Sequence, residues 1–183
     1  MALEVVFGNC NCIFVVGNFN FKILQNMTTL LKSATIIDPS SQYHKQIKDI
    51  LIINGKVEKI ANKIQNKPTY KLVELENLHV SCGWFDTSVS LGEPGYEERE
   101  TIQNGLSVAS KSGFTSIALN PNTFPVIDSK SDIEYLINKA SNSATSLYPI
   151  GALTKLSDGK EIAELYDMQQ SGAIAFGDYN KPI

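Results

Sequence analysis

The sequence predicts an α/β protein that holds about four strands of a (β/α)8 TIM barrel, preceded by a small N-terminal β module. Before Ser81 the chain shows only strand-like apolar runs between polar turns, whereas after Ser81 strand-like and helix-like segments alternate. Only about 100 residues follow Ser81, while a whole barrel needs about 250. We therefore expect the first half of a barrel, as a fragment of a longer protein. An open α/β layer is the alternative.

Composition and charge exclude several classes of protein. The chain has 183 residues, of which 43% are hydrophobic and 19% are charged, and its net charge is -3. This is an ordinary globular composition. The charges form no basic stripe that could follow a phosphate backbone, so we expect no nucleic acid partner. Three cysteines without a CxxC pair favour a reducing compartment, and we expect a cytoplasmic protein.

The first 26 residues are apolar and aromatic, but their longest clean apolar run is IFVV. That run is too short for a signal peptide core or a membrane span, so no membrane association is expected. We expect residues 1–26 to be an upstream extension before Met27, with an extra edge strand as the alternative. Cys10 and Cys12 make a weak metal site because no histidine or third cysteine is near. Residues 27–80 then form the β module, and residues 81–183 form the half barrel.

The individual elements follow from periodicity and turn signals. The β module is predicted from three strand-like runs, at 30–38, 49–61 and 69–80, with Asn54-Gly55 as a hairpin turn inside the second. Four barrel strands are expected at 84–91, 114–120, 146–154 and 173–178. Three helices are expected between them, at 96–113, 128–141 and 159–172. In the first helix Ile102, Leu106 and Ala109 recur at helical spacing.

The first barrel strand carries the first candidate site. Side chains alternate along a strand, so Asp86, Ser88 and Ser90 share one face. Catalytic groups of such barrels lie at the carboxyl ends of the strands. The two serines either belong to an active site or only fill a polar lumen. A Ser/His/Asp triad is excluded, because His44 and His79 are both placed away from Ser88.

Three further polar clusters follow the later strands. Asn122 lies in a turn rich in asparagine and proline, where it either stiffens the turn or presents its amide to a substrate. The segment from Thr154 to Lys160 is typical of a turn and a helix start. Asp178, at the end of the fourth strand, is either a metal ligand or a loop carboxylate.

These clusters, in this order, resemble the dihydroorotases of the amidohydrolase superfamily from about Leu30 to the last residue. ATIIDP with DILIINGKVEKI resembles the N-terminal β module of that family. The segment GWFDTSVSLGEPG to PNTFP resembles its motif of Asp, an HxH pair, Leu-Arg-Glu-Pro-Gly, Gly-Gly-Phe-Thr and Pro-Asn-Thr-x-Pro. The matching residues are Asp86, Glu93, Pro94, Gly95, Gly113, Phe114, Thr115, Pro121, Asn122, Thr123 and Pro125. Ser88, Ser90 and Gly92 depart from the motif.

The resemblance implies that zinc is held at the HxH pair and that the arginine and the asparagine hold a substrate carboxylate. Here Ser88 and Ser90 offer neutral hydroxyls, which are poor zinc ligands, and Gly92 has no side chain. Asn122 is left as the substrate-binding residue. FGDYNKP resembles a Phe-Thr-Asp-Asp-Gly-x-Pro motif with Asp178 kept and Tyr179 in place of the second Asp. Which of these two is the ligand position stays open. We expect no zinc and no catalytic residue in this chain.

The resemblance also implies a place in pyrimidine biosynthesis. We expect a catalytically inactive homologue that acts as a structural or regulatory partner of aspartate carbamoyltransferase, with self-association left open. The alternative is an active zinc-dependent dihydroorotase, or a related cyclic amidohydrolase, completed by residues beyond 183. A hydantoinase or allantoinase is disfavoured by the Glu-Pro-Gly and Pro-Asn-Thr motifs.

Overall fold

The computed structural model describes residues 4–8, 12–15 and 28–181, and the side chains from residue 28 onward. The described chain divides into two compact units. The first holds the residues up to Trp84 together with Ser110–Thr115, and the second holds Phe85–Ala109 and the residues from Ser116 onward. Cys10 of the suggested cysteine pair and Met27 lie outside the described residues. None of the described helices has the length and apolar character that a bilayer span requires.

The first unit is built on one mixed β-sheet. Its strands are β1 (Glu4–Gly8), β2 (Cys12–Val15), β3 (Thr28–Ile37), β4 (Ile47–Ile53), β5 (Lys56–Ala61), β6 (Lys71–Glu74) and β7 (His79–Cys82). The strand order is β2-β1-β7-β3-β4-β5, and β6 pairs with β3. Asn54 and Gly55, with φ of +52° and +78°, join the antiparallel strands β4 and β5 as the sequence predicted.

Strands β1 and β2 fall within the first 26 residues of the chain. They pair with each other in antiparallel fashion, and β1 also pairs in parallel with β7 at the edge of the sheet. Their pairing follows the edge-strand alternative. That residues 1–26 precede the natural start stays a prediction.

A buried carboxylate holds the bulge in β3. The pairing of β3 with β4 shifts register between Leu31 and Ala34, and the Ser33 amide donates to Asp49 Oδ1 at 3.0 Å. Asp49 is 3% exposed, accepts the Ile64 amide at 2.8 Å and pairs with Lys32. The core of the sheet lies around this bulge, with Leu31, Ala34, Ile50 and Val80 fully buried. The bulge therefore has its own hydrogen-bond partners inside the core.

The other sheet has the four strands of a half barrel, which confirms the predicted fold class. Its strands are β8 (Trp84–Val89), β9 (Phe114–Leu119), β10 (Ser146–Gly151) and β11 (Ala175–Phe176), in the order β8-β9-β10-β11. Strand β10 pairs in parallel with both β9 and β11. The helices that follow the first three strands are α1 (Ile102–Lys111), α2 (Lys130–Lys139) and α3 (Leu165–Gln170). Ile102 and Leu106 of α1 are fully buried, as their spacing predicted.

Helix α1 was predicted to begin at Tyr96, and this prediction was wrong. Residues 96–101 instead form turns, in which the Tyr96 amide donates to the Gly92 carbonyl at 2.8 Å and the Arg99 amide donates to Tyr96 at 2.9 Å. The helix begins where the Glu93 carboxylate accepts the Ile102 amide at 2.9 Å. Thr101 caps the same end locally, because its Oγ1 accepts the Asn104 amide at 3.3 Å. A distant side chain and a local cap therefore hold the helix start together.

The third helix and the fourth strand are also shorter than predicted. Residues 159–164 are not helical, because Thr154 forms an antiparallel bridge with Ile162 and the Lys155 amide donates to the Glu161 carbonyl at 2.8 Å. Helix α3 is left with six residues. Strand β11 has two residues, Ala175 and Phe176, of the predicted six.

Glu93 connects three parts of the second unit. Its carboxylate, 6% exposed, accepts hydrogen bonds from the Ile102 amide at the start of α1, from the Tyr135 hydroxyl on α2 at 3.1 Å, and from Lys139 Nζ at the end of α2 at 2.8 Å. Burial opposes ionisation of this carboxyl and is the largest influence on it. The hydrogen bonds from Lys139, Ile102 and Tyr135 together outweigh burial and hold the pKa of Glu93 below its usual range.

We expect Glu93→Gln to lower the free energy of unfolding at neutral pH by about 1.5–3 kcal/mol, because hydrogen bonds to a charged acceptor are weakened. A carboxyl whose pKa is depressed in the folded state stabilises the protein above its unfolded pKa, and that stabilisation is lost as the pH falls through the folded pKa. The difference between wild type and variant should therefore shrink below about pH 4.3. Urea unfolding between pH 7 and pH 3 measures it.

Glu161→Gln is the matched control. Glu161 pairs with Lys155 while 70% exposed, and solvent screening leaves exposed pairs of this kind with little effect on stability. A Glu93→Gln variant as stable as this control at pH 7 would contradict the role given to Glu93.

Candidate functional site

Ser88 and Ser90 lie together at the carboxyl end of β8, and both contact one side chain from the next strand. The Asn120 amide nitrogen Nδ2 donates to Ser88 Oγ at 3.1 Å and to Ser90 Oγ at 3.3 Å. Asn120 follows β9 directly, is 7% exposed, and its backbone amide donates to the Val89 carbonyl at 2.8 Å. The two serines therefore share a face of the strand, as the alternation predicted.

Tyr179 reaches the same cluster from beyond β11. Its phenol oxygen accepts a hydrogen bond from Ser90 Oγ at 3.3 Å, although β11 and β8 stand at opposite edges of the four-stranded sheet. Ser88, Ser90, Asn120 and Tyr179 form what we call the mouth network. Every member of this network is uncharged at neutral pH.

The two carboxylates nearest to the network in sequence accept hydrogen bonds from backbone amides. Asp86 Oδ1 accepts the backbone amide of Ser88 at 3.1 Å. Asp178 is 3% exposed, and its Oδ1 accepts the amides of Leu153 and Thr154, both at 3.0 Å. Burial opposes ionisation of Asp178 most strongly, but its hydrogen bonds, chiefly from Thr154, hold its pKa below the usual range. This geometry favours the loop-carboxylate interpretation of Asp178, and its assignment as a ligand stays a prediction.

Asn122 lies in the loop after β9, beside the Glu-Pro-Gly turn. The Phe124 amide donates to the Pro94 carbonyl at 3.1 Å, and a Cβ on Gly95 would stand 1.9 Å from the Phe124 carbonyl oxygen. The side-chain oxygen of Asn122 is buried and accepts no hydrogen bond. A buried acceptor without a donor costs about 1–3 kcal/mol, so this atom has an unused capacity to bind a ligand donor. Asn122 as a substrate contact stays a prediction.

Gly92 permits a close approach of the chain that follows it. A Cβ at this position would stand 1.9 Å from the Tyr96 carbonyl oxygen and 3.0 Å from the Glu100 carbonyl oxygen. The Gly92 amide donates to that Glu100 carbonyl at 2.9 Å. The turns of residues 96–101 thus occupy the space that any side chain at position 92 would need.

The side chains present at the mouth do not fit zinc. Zinc prefers imidazole, thiolate and carboxylate ligands, whereas Ser88 and Ser90 offer hydroxyls that already accept the Asn120 amide. Across the part of the chain that the structure describes, no three His, Cys, Asp or Glu side chains converge on a point that could hold a metal ion. We derive no chemical step through a metal from these residues.

Sequence reasoning found Ser88, Ser90 and Asn122 but missed Asn120 and the contact made by Tyr179. Asn120 was predicted as the last residue of a strand. Because side chains alternate along a strand, its spacing of two from Ala118 places both residues on the same face, and this could have identified Asn120 as a polar residue at the strand end. The reach of Tyr179 to Ser90 spans 89 residues of sequence. No local pattern predicts a contact at that separation.

The sequence matches the family described as dihydro-orotase-like over residues 79–182, which is more than half of the chain. Two dihydroorotases are among its relatives. That of Syntrophus aciditrophicus (strain SB) is 40% identical over 159 residues, covering 86% of this chain and 37% of its own length. That of Pelotomaculum thermopropionicum is 38% identical over 157 residues, covering 86% and 36%. The chain therefore spans little more than a third of the length of these curated relatives.

Solved structures show the same fold at low sequence identity. An L-hydantoinase (dihydropyrimidinase) from Arthrobacter aurescens superposes with a TM-score of 0.66 and 18% identity, covering 81% of this chain and 32% of that one. The crystal structure of a dihydroorotase gives a TM-score of 0.55 at 14% identity, covering 82% and 42%. The resemblance inferred from the motifs is confirmed.

We expect Gly92→Ala to lower the free energy of unfolding by at least about 1–3 kcal/mol, the usual range for overpacking, because the added methyl group meets the Tyr96 carbonyl. Gly92→Arg should destabilise at least as much. Urea unfolding of the purified variants measures both effects.

Gly177→Ala is the control, since a Cβ at Gly177 would meet no atom within 4 Å. A Gly92→Ala variant as stable as Gly177→Ala would show that residues 96–101 move aside without cost.

Proposed function

This chain belongs to the dihydro-orotase-like family, and from that premise we propose that it is a homologue in which hydrolysis of cyclic amides has been lost. We propose further that it serves as a structural or regulatory partner of aspartate carbamoyltransferase. The substrate and partners of the whole protein are part of this proposal, because the chain spans about a third of its relatives.

One observation supports the loss of activity above the others. Both positions of the expected zinc-binding pair carry serine, and both hydroxyls accept hydrogen bonds from Asn120. In the family, zinc lowers the pKa of a bound water to about 7 and so supplies a nucleophile at neutral pH. No side chain at the mouth replaces that function, because Ser88 and Ser90 have no histidine base within the cluster.

The substrate-binding side of the site is also reduced. The resemblance assigns the carboxylate of the substrate to an arginine and an asparagine, and position 92 has no room for an arginine. Asn122 alone can supply at most a neutral amide, and loss of a hydrogen bond to a charged group costs about 1.5–3 kcal/mol. We therefore expect dihydroorotate to bind weakly or not at all.

The proposed partnership rests on family analogy. This homologue keeps the barrel strands and the Glu93 contacts, which maintain the fold, but it lacks a set of metal-binding side chains at the mouth. Such a protein can still serve as a scaffold. Aspartate carbamoyltransferase catalyses the neighbouring step of pyrimidine synthesis, and a cytoplasmic location is part of the same proposal.

We expect the purified protein to carry no stoichiometric zinc and to leave dihydroorotate unhydrolysed. Ser88→His combined with Ser90→His should raise zinc affinity, because imidazole replaces hydroxyl at both positions. Elemental analysis and a dihydroorotate hydrolysis assay, each with and without chelator, measure these outcomes.

The control is the double variant Ser141→His with Ser143→His, a pair of the same spacing in the loop after α2. Its zinc affinity should rise by less. Stoichiometric zinc in the wild type, with hydrolysis that a chelator abolishes, would restore the active enzyme.

We expect the protein to form a complex of defined stoichiometry with the aspartate carbamoyltransferase of its own organism at about 10 μM, a concentration at which a specific complex is well populated. Size-exclusion chromatography with native mass spectrometry measures it. The pair Ser88→His and Ser90→His should leave the complex intact if the barrel acts as a scaffold. Two separate elution peaks at that concentration would refute the partnership.

A further inference from the structure

We infer that the mouth network takes over the mechanical role of a metal centre: its neutral side-chain hydrogen bonds add to the strand pairing and tie the ends of β8 and β9 to the segment after β11. In the family that this chain resembles, a zinc ion stands at the pair now occupied by Ser88 and Ser90. Here Ser88 and Ser90 accept the Asn120 amide, and Ser90 donates in turn to the Tyr179 phenol oxygen.

Asn120 is the centre of this network. A side-chain amide has two N–H donors, and Asn120 directs its amide nitrogen at the hydroxyls of Ser88 and Ser90. Its backbone amide donates to Val89 in the same strand. One residue thus joins β9 to the end of β8 at three points. Asn120 itself is 7% exposed, whereas Ser88 and Ser90 are exposed.

Tyr179 extends the network across the sheet. Neighbouring strands stand about 4.8 Å apart, so a contact from the segment after β11 to β8 passes over two strands. Tyr179 has φ of +50°, a left-handed conformation that residues with a Cβ rarely adopt. From this position the phenol oxygen accepts the Ser90 hydroxyl at 3.3 Å.

The members of the network pair with one another, and their neutral side chains do not suit a cation. The Asn120 amide donates, Ser90 accepts and then donates, and Tyr179 accepts, so the chain of hydrogen bonds runs in one direction. A divalent cation would need the serine oxygens that Asn120 already uses. The two nearby carboxylates, Asp86 and Asp178, are held by backbone amides. This inference shares with the proposed loss of hydrolysis the premise that no metal holds the mouth, but it does not rest on the carbamoyltransferase. A Tyr179→Phe variant that exchanges like the wild type would overturn it without bearing on hydrolysis.

Hydrogen exchange of the purified protein tests the inference, because it reports local opening of the segments that the network joins. In Tyr179→Phe, which removes one hydroxyl and keeps the ring, exchange in residues 86–91 should rise by about fivefold, as expected for loss of one hydrogen bond. Asn120→Ala should raise exchange in 86–91 and 118–122 by more. Chelator and added zinc should leave the wild type unchanged.

Tyr166→Phe is the control, since Tyr166 is 73% exposed on α3, and it should match the wild type. If Asn120→Ala fails to fold, Tyr179→Phe decides alone. The inference is overturned if chelator loosens residues 86–91 in the wild type, since a metal would then hold the mouth. It is equally overturned if Tyr179→Phe exchanges like the wild type.

Discussion

The second unit depends on one buried carboxylate. Glu93 accepts hydrogen bonds from the start of α1 and from two side chains of α2, and a buried charge without such partners would be strongly destabilising. The turn that carries Glu93 also receives the Phe124 amide at Pro94, so it positions the loop that holds Asn122. The Glu-Pro-Gly motif, which the chain shares with the family, therefore stabilises the fold independently of any role in catalysis.

The two units solve a similar problem in the same way. In the first unit Asp49 holds the bulge of β3 by accepting the Ser33 and Ile64 amides, and in the second Glu93 holds the start of α1. Both carboxylates use backbone amides that no regular strand or helix would satisfy. The mouth differs from these sites, because its network is neutral and contains no carboxylate. The carboxylates beside the network, Asp86 and Asp178, likewise accept backbone amides.

The sequence predicted the β module, the four parallel strands, the hairpin at Asn54-Gly55 and the common face of Ser88 and Ser90, because each follows from local periodicity or from turn chemistry. It did not predict the late start of α1, since the Glu93 carboxylate holds that start from nine residues away and the cap at Thr101 lies inside a longer run of helix-forming residues. It also assigned residues 159–164 to a helix, where the bridge between Thr154 and Ile162 competes successfully with local helix propensity. The contacts of Asn120 and Tyr179 with Ser90 were not predicted, because these residues lie 30 and 89 positions away from it in the sequence.

Gly92 couples any change of side chain at its position to the path of the neighbouring backbone. The Tyr96 carbonyl stands where a Cβ would be, and the turns of residues 96–101 lead directly into the helix start that Glu93 contacts. An arginine at position 92 therefore requires these turns to take another path first. For protein engineering, position 92 is not an independent variable: a carboxylate clamp built there needs a redesigned loop as well as a new side chain.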